Sequence, residues 1–542
     1  VAATASAGTP GSSSSSSSNG AAGGVHGQLR LGGRWQDWSL CGHLSSQHSS
    51  QHSSQHSIQH SSQHNNSSYT PPPGLKVSQV AAHIPENYTY MRGRWNLTRH
   101  SWALALAWLR LKEPLAVSDL CSDARTEARA KHRVLLYPGF FLDVNLTGLN
   151  GAPQGEHIQW HDLYVSLLLL GYKPVLQPTC TRFTPKLLAS YDMIITDYSG
   201  IWHAMPGRVA GAAKHPQRCK LRILDSYGTD DSYNMCDGKG PYCCMHLHLQ
   251  QYWTFMPGYS PGNDFLGYAT PRAFVPLSDF QVEPEGTQTF EGLLQQRQGK
   301  LQGPQRQQEH GLGASRAFEI VLYGKEYQFF KIDHAYIQEL LRVAPVHATA
   351  MGWPADSPLK GVQNHGVMTQ PALHKLMSRT FAYAGFPSVL MGPAAIEAMS
   401  QGMVFLNYGL SPPWNLSARQ DKPTTQLWSS QFPFLEAFEP HVLTVDPTNA
   451  TSLHTQLEKL RATYDLFWGD SSRGSTNQQQ AWYAKSAVQK KQQHMVPPED
   501  AQVEGHVFLA QTRGHRMGFV PREYTAVGML LRVEVLLNKT FC

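Results

Sequence analysis

The strongest constraint on this chain is an alternation of short apolar runs with segments of helical periodicity, which occurs twice, on either side of a stretch that has neither. The first round begins at RVLLYPGF, a short buried strand that stops at Pro138-Gly139. A helical run over 159–170 follows, and then strands over 173–176, 192–197 and 221–225. The second round starts with the strand EIVLYG and a helix over 334–341. It continues through the strands VHATAM and FAYAG, a helix over 394–400, and the strands MVFLNYG and HVLTVD. Short buried strands separated by helices predict parallel, doubly wound sheets. The fold class expected is therefore α/β, with two Rossmann-like domains facing a cleft and ligands at the carboxyl ends of the strands.

The remaining sequence divides around these two units. Residues 1–68 are Gly/Ser-rich and then repeat S-S-Q-H, with His48, His52, His56, His60 and His64 at four-residue spacing. Such a composition cannot bury a core, so it reads as a low-complexity disordered tail with no chemistry assigned. Residues 69–130 read as a linker or stem-like segment and 131–282 as the first α/β domain. Residues 283–316 lose apolar periodicity and are rich in Gln and Gly, as a linker is. The second α/β domain covers 317–471, a Gln-rich insertion 472–516, and a terminal helix falls within 517–542.

Composition narrows the function classes. Lys and Arg number 45 against 39 Asp and Glu, a net charge of +6, and no basic run marks a nucleic-acid footprint. The apolar stretch Trp102 to Leu109 is far shorter than the roughly 20 residues a membrane span needs. The chain starts at Val1 without a signal pattern, and a membrane anchor is expected upstream of it. Sequons at Asn65, Asn66, Asn87, Asn96, Asn145, Asn415, Asn449 and Asn538 favour a secretory lumen. The eight cysteines lack paired zinc spacing, and disulfides suit them better.

Several residues sit where such a fold binds ligands. Gly385-Phe386-Pro387 and Gly392-Pro393 flank the loop into the 394–400 helix, whose free N–H groups and dipole suit an anion such as a diphosphate. Glu397, in that helix, is placed to accept hydrogen bonds from ribose hydroxyls, and a carboxylate held only by the dipole accounts for it as well. Lys325 ends a strand and Lys422 precedes a proline in QDKPTTQLW; each is a candidate phosphate contact or an ordinary surface lysine. Glu156 follows the Gly-rich loop NGAPQGE at the start of a helix, as a base facing the cleft or as a helix-start carboxylate. Asp225 and Ser226, at a strand end in ILDSYGTDD, suit sugar hydroxyls or a cap. There is no D-x-D triplet of the kind that holds a metal against a sugar nucleotide, so no metal is expected.

These segments resemble the α-1,6-mannosylglycoprotein 6-β-N-acetylglucosaminyltransferase family (N-acetylglucosaminyltransferase V, glycosyltransferase family 18). The matching stretches are GAPQGEHIQWHDLYVSLLLLGYKPV, LRILDSYGTDDSYN, NDFLGY, VLYGKEYQFFK, VHATAM, NHGVMT, FAYAGFPSVLMGPAAIEAMSQGMVFLN, DKPTTQLWSSQFPFLEAF and PHVLTVD. They stand in the family's order from about residue 131 onward.

The resemblance implies the two-domain GT-B architecture, with 131–282 on the acceptor side and 317–471 binding the nucleotide sugar. It implies an inverting, metal-independent transfer of GlcNAc from UDP-GlcNAc to the 6-hydroxyl of the α-1,6-linked mannose of N-glycans in the Golgi lumen. By the same resemblance Glu156 is the catalytic base, and Glu397 and Lys422 serve the donor; Lys325, Gly392, Pro393, Asn364 and His365 are further donor-side candidates. Trp160 joins Asp225 and Ser226 on the substrate side. Ala526 stands where the family has a cysteine, so one disulfide is expected to be missing, and the family's further Cys-rich C-terminal region does not follow. Two other readings share the fold: the same donor with another glycoprotein acceptor, and a luminal glycan-binding protein that has lost catalysis.

Overall fold

The computed structural model describes residues 75–139, 155–177, 185–197, 200, 218–225, 247–255, 262–271, 317–386, 392–415, 427–468, 505–508 and 518–541, apart from 87, 325, 332, 437, 439–440 and 522–523. The chain opens on four helices, α1 (Val77–His83), α2 (Thr89–Lys112), α3 (Pro114–Leu120) and α4 (Asp123–Lys131), where the sequence predicts a linker-like stem. That expectation is corrected here, because α2 buries Trp95, Trp102, Leu106 and Leu109 in the same core as the first sheet. The run WALALAWL is too short to span a bilayer and long enough to cover a sheet; burying side chains of this size contributes roughly 1.5–3 kcal/mol each. Among the described residues no helix is long and apolar enough to cross a membrane.

The first sheet contains β1 (Arg133–Tyr137), β2 (Lys173–Leu176), β3 (Met193–Thr196), β4 (Leu221–Leu224), β5 (Tyr252–Thr254) and β6 (Asp264–Phe265). Among the described residues its order is β2-β1-β3-β4-β5-β6, with every pairing parallel. Helix α5 (Gly155–Leu170) crosses from β1 to β2. Its residues from Ile158 to Leu170 are buried, because sheet, α2 and the C-terminal helix enclose it on all sides. Tyr164 Oη donates to the His83 carbonyl at 2.6 Å, which ties α5 to the opening helices.

The second sheet contains β7 (Ala317–Leu322), β8 (Val346–Ala348), β9 (Val362–Asn364), β10 (Thr380–Ala384), β11 (Val404–Asn415), β12 (Leu427–Ser430) and β13 (Val442–Val445). Its described order is β12-β11-β10-β7-β8-β9 with β13 on β11, and all pairings are parallel except β11 with β12. Leaving out antiparallel β12 and counting from β7, the parallel strands run 3-2-1-4-5-6, the order of a dinucleotide-binding sheet, with its switch point between β7 and β10. In the first sheet the corresponding reversal lies between β1 and β3.

Helix α6 (Pro185–Ala189) precedes β3 in the first unit, and helices α7 (His334–Val343), α8 (Gln370–Arg379), α9 (Ala394–Ser400) and α10 (Ala450–Trp468) accompany the second sheet. Asp333 caps α7, accepting from Tyr336 N at 3.0 Å, and its other oxygen accepts from Tyr408 Oη at 2.6 Å. The chain then returns to the first unit. Strand β15 (Gly518–Pro521), paired with β14 (Gly505–Phe508), contacts α9, and α11 (Ala526–Leu537) packs on α5 and α2. The return is pinned by Tyr524 Oη to Phe255 O at 3.0 Å, Arg532 Nε to Leu266 O at 2.9 Å, and Lys539 Nζ to Asp264 at 2.7 Å.

Candidate active site

Chain direction places the candidate residues at the two switch points. Helix α5 leaves β1, so Glu156 lies in its first turn, beside the reversal of the first sheet. Lys325 follows β7 and the loop to Gly392-Pro393 follows β10, the two strands that flank the reversal of the second sheet. Lys325, Lys422 and Ser226 lie outside the described residues, as does the side chain of Glu156.

The starts of α5 and α9 touch. A methyl group placed on Gly155 would come within 3.0 Å of Pro393 Cδ and 3.4 Å of Phe255, so the neighbours would have to give way to any larger residue. Tyr268 Oη donates to the Pro393 carbonyl at 3.4 Å, and Ile158, Phe255 and Tyr268 join the core of the second unit. The structure thereby brings the Glu156 backbone, Gly392, Pro393 and Glu397 into one neighbourhood.

Glu397 is 3% exposed and has both oxygens engaged. Arg94 Nη1 donates to Oε1, and His374 Nε2 to Oε2 at 3.0 Å. Burial alone would raise this carboxyl, but the Arg94 charge and the His374 hydrogen bond outweigh it and hold the group down at about 2. Each oxygen keeps a lone pair for a further donor, so contact with a ribose is chemically open, although the carboxylate is closed to solvent here.

Other sequence candidates play different parts. Trp160 is 2% exposed and packs in the first unit's core, which corrects its expected place against substrate: α5 turns that ring inward. Asn364 spends its amide on the backbone, accepting from Ala350 N at 2.9 Å and Gly366 N at 3.2 Å and donating to Ala350 O at 2.9 Å. It clamps the loop that carries His365 and offers a ligand little hydrogen-bonding capacity of its own. Gly366, with φ at 66°, takes the left-handed turn that this clamp requires. His365 pairs with His347 at 2.9 Å, and His347 lies 3.1 Å from Glu319. Burial first, then the neighbouring His347 and Arg379, push the His365 pKa down, so the ring is neutral at pH 7. Asp225 is buried at the end of β4, its N–H donating to Trp253 O at 2.8 Å.

Three residues beyond the sequence candidates complete the cluster: Arg94, Asp162 and His374. Asp162 was signalled by its position, a carboxylate inside the apolar run of α5 that must find partners once buried. It accepts from Ala269 N at 2.7 Å and contacts His161 Nδ1 at 2.8 Å. Arg94 carried no comparable signal, since its partner Glu397 lies 303 residues away.

The family model described as glycosyltransferase family 18 matches residues 39–467. The chain belongs to glycosyltransferase family 18. Human α-1,6-mannosylglycoprotein 6-β-N-acetylglucosaminyltransferase B is 26% identical over 70% of this chain and 46% of its own length. The human enzyme A is 27% identical over 64% of this chain and 46% of its own length. The Caenorhabditis elegans enzyme is 25% identical over 83% and 59%. The chain thus spans about half the length of the family 18 relatives it matches. Among solved structures, an α-glucosyltransferase in complex with UDP-glucose and DNA containing an abasic site aligns at a TM-score of 0.32 and 10% identity, over 61% of this chain and 91% of that one. At that score the likeness has no bearing on the fold or the site.

Proposed function

We propose that this chain is a GT-B transferase that moves GlcNAc from UDP-GlcNAc to the 6-hydroxyl of the α-1,6-linked mannose of N-glycans, with inversion and without a metal. The observation that carries the reading is the meeting of the α5 start, which bears Glu156, with the Gly392-Pro393 loop and α9, at the switch points of two parallel sheets. Membership of family 18 over residues 39–467, and relatives named for this transfer, support this chemistry for the site.

In this reading Glu156 takes the proton of the mannose 6-hydroxyl, and that oxygen attacks C1 of GlcNAc from the face opposite the nucleotide. The bond from C1 to the diphosphate oxygen breaks, UDP departs, and the new linkage is β. Positive charge from Lys325 and Lys422 offsets the charge that develops on the leaving diphosphate. Glu397 orients the ribose, and His365, neutral and half-buried, serves the donor. Asp225 meets the acceptor sugar. The sequons and the half-cystines Cys121 and Cys219 support a Golgi-lumen location.

A steady-state assay with UDP-GlcNAc, a biantennary N-glycan and a chelator tests the roles. Glu156→Gln is expected to lower kcat by about 10²–10⁴-fold with the affinity for UDP unchanged, the range for loss of a general base. Turnover in Glu156→Gln within threefold of the parent would remove Glu156 from the chemistry.

A further inference from the structure

One guanidinium joins the opening helices, the first sheet's helix and the second unit. Arg94 of α2 is fully buried. Its Nη1 donates to Glu397 of α9, while its Nη2 donates to the Ala269 carbonyl at 2.5 Å and contacts Asp162 of α5 at 3.4 Å. Asp162 is anchored in turn by Ala269 N–H and His161, and His374 of α8 holds the far oxygen of Glu397. Thus one planar fork faces two carboxylates and a carbonyl drawn from three separate parts of the chain.

Stability alone is a poor account of this cluster. Buried ion pairs gain little over apolar side chains of the same volume, because desolvation cancels most of the attraction. What a guanidinium fork supplies, and a point charge does not, is direction. Here it fixes which way the Glu397 carboxylate points and which lone pairs stay free, and it sets that orientation against Asp162, less than two helical turns from Glu156 on the same α5.

We infer that Arg94 is a positioning residue of the donor site: it orients Glu397 for the nucleotide and ties that orientation to the helix that carries Glu156. The inference rests on the reading of Glu397 as a nucleotide contact. Donor affinity then depends on the apposition of the two units through Arg94, so a change at Asp162, which touches neither substrate, reaches the nucleotide.

The test uses UDP as the probe on the full chain, with Kd taken from calorimetry and from the UDP-induced rise in Tm. Glu397→Gln, Arg94→Gln, Arg94→Lys and Asp162→Asn are compared with the parent. Arg94→Gln and Asp162→Asn are expected to weaken UDP by about tenfold or more, the loss of one charged hydrogen bond, with Arg94→Lys recovering part of it. A merely structural Arg94 would lower the Tm of the free protein and leave the UDP-induced increment intact, and that result overturns the inference. Should Arg94→Gln fail to fold, Asp162→Asn decides: a Kd within twofold of the parent overturns it. If Glu397→Gln itself binds UDP like the parent, the nucleotide reading of Glu397 is what has failed, and the positioning role falls with it.

Discussion

At the scale of single residues, Glu397 has a measurable signature apart from catalysis. Its carboxyl titrates at about 2 in the folded protein against an ordinary 4.5, because Arg94 and His374 outweigh the effect of burial. A pKa depressed by folding adds stability that is complete above the unfolded value and is lost as pH falls through the folded one. The urea midpoint of the parent is therefore expected to drop between about pH 4.5 and pH 2 more steeply than that of Glu397→Gln. Equal slopes across that window would mean that the carboxylate is not held as the structure shows. Part of this site was legible in the sequence, since Glu156 and Glu397 stand at helix starts after Gly-rich loops, where position alone suggests a ligand. Arg94 and His374 were not, because a buried pair between distant segments leaves no local pattern. Asn364 and Trp160 both belong to matching stretches, and the structure uses one as a loop clamp and the other in the core.

At the scale of elements, periodicity located β1 to β4, β7, β10 and β13 to within two residues at each end, because a fully buried parallel strand is a short apolar run with polar ends. It placed the start of α5 too late: Gly155 and Glu156 are helical, and the apolar pattern begins only after them. Strand β9 is Val362–Asn364, too short and too polar to announce itself. The stem-like reading of 69–130 went astray because α2 interrupts its apolar face with Arg94, Thr98 and Ser101, all of them buried. Trp102→Ala is therefore expected to destabilise the protein by about 3–5 kcal/mol in urea titrations, as a large core truncation does. A change under about 1 kcal/mol would return the segment to linker status.

The second sheet has its own polar pin. Asn407 on β11 is fully buried; its Nδ2 donates to Ser430 Oγ at 2.9 Å and Phe432 O at 3.2 Å, and its Oδ1 accepts from Phe432 N at 3.0 Å. Asn407→Ala strands those partners and is expected to cost about 1–3 kcal/mol, read as a lower urea midpoint at unchanged slope. No measurable loss would mean that β12 is held by its apolar residues alone.

At the scale of the whole molecule, two parallel sheets meet where their switch points put the ends of β1, β7 and β10, and the C-terminal helix crosses back to close the first unit. The strand orders come from pairing across long sequence separations, which no local pattern encodes, whereas the mixed α/β class with parallel strands was legible from the alternation alone. Activity enters through the site and the family rather than through the sheets, since the same architecture serves many chemistries. The central claim is the bond that the chain makes. Incubation with UDP-GlcNAc and a panel of N-glycans in the presence of a chelator, followed by NMR assignment of the product, reads that bond directly. A β-linked GlcNAc on O6 of the α-1,6-linked mannose is the predicted product; an α linkage, attachment at another position, or glycan binding without release of UDP would contradict the account.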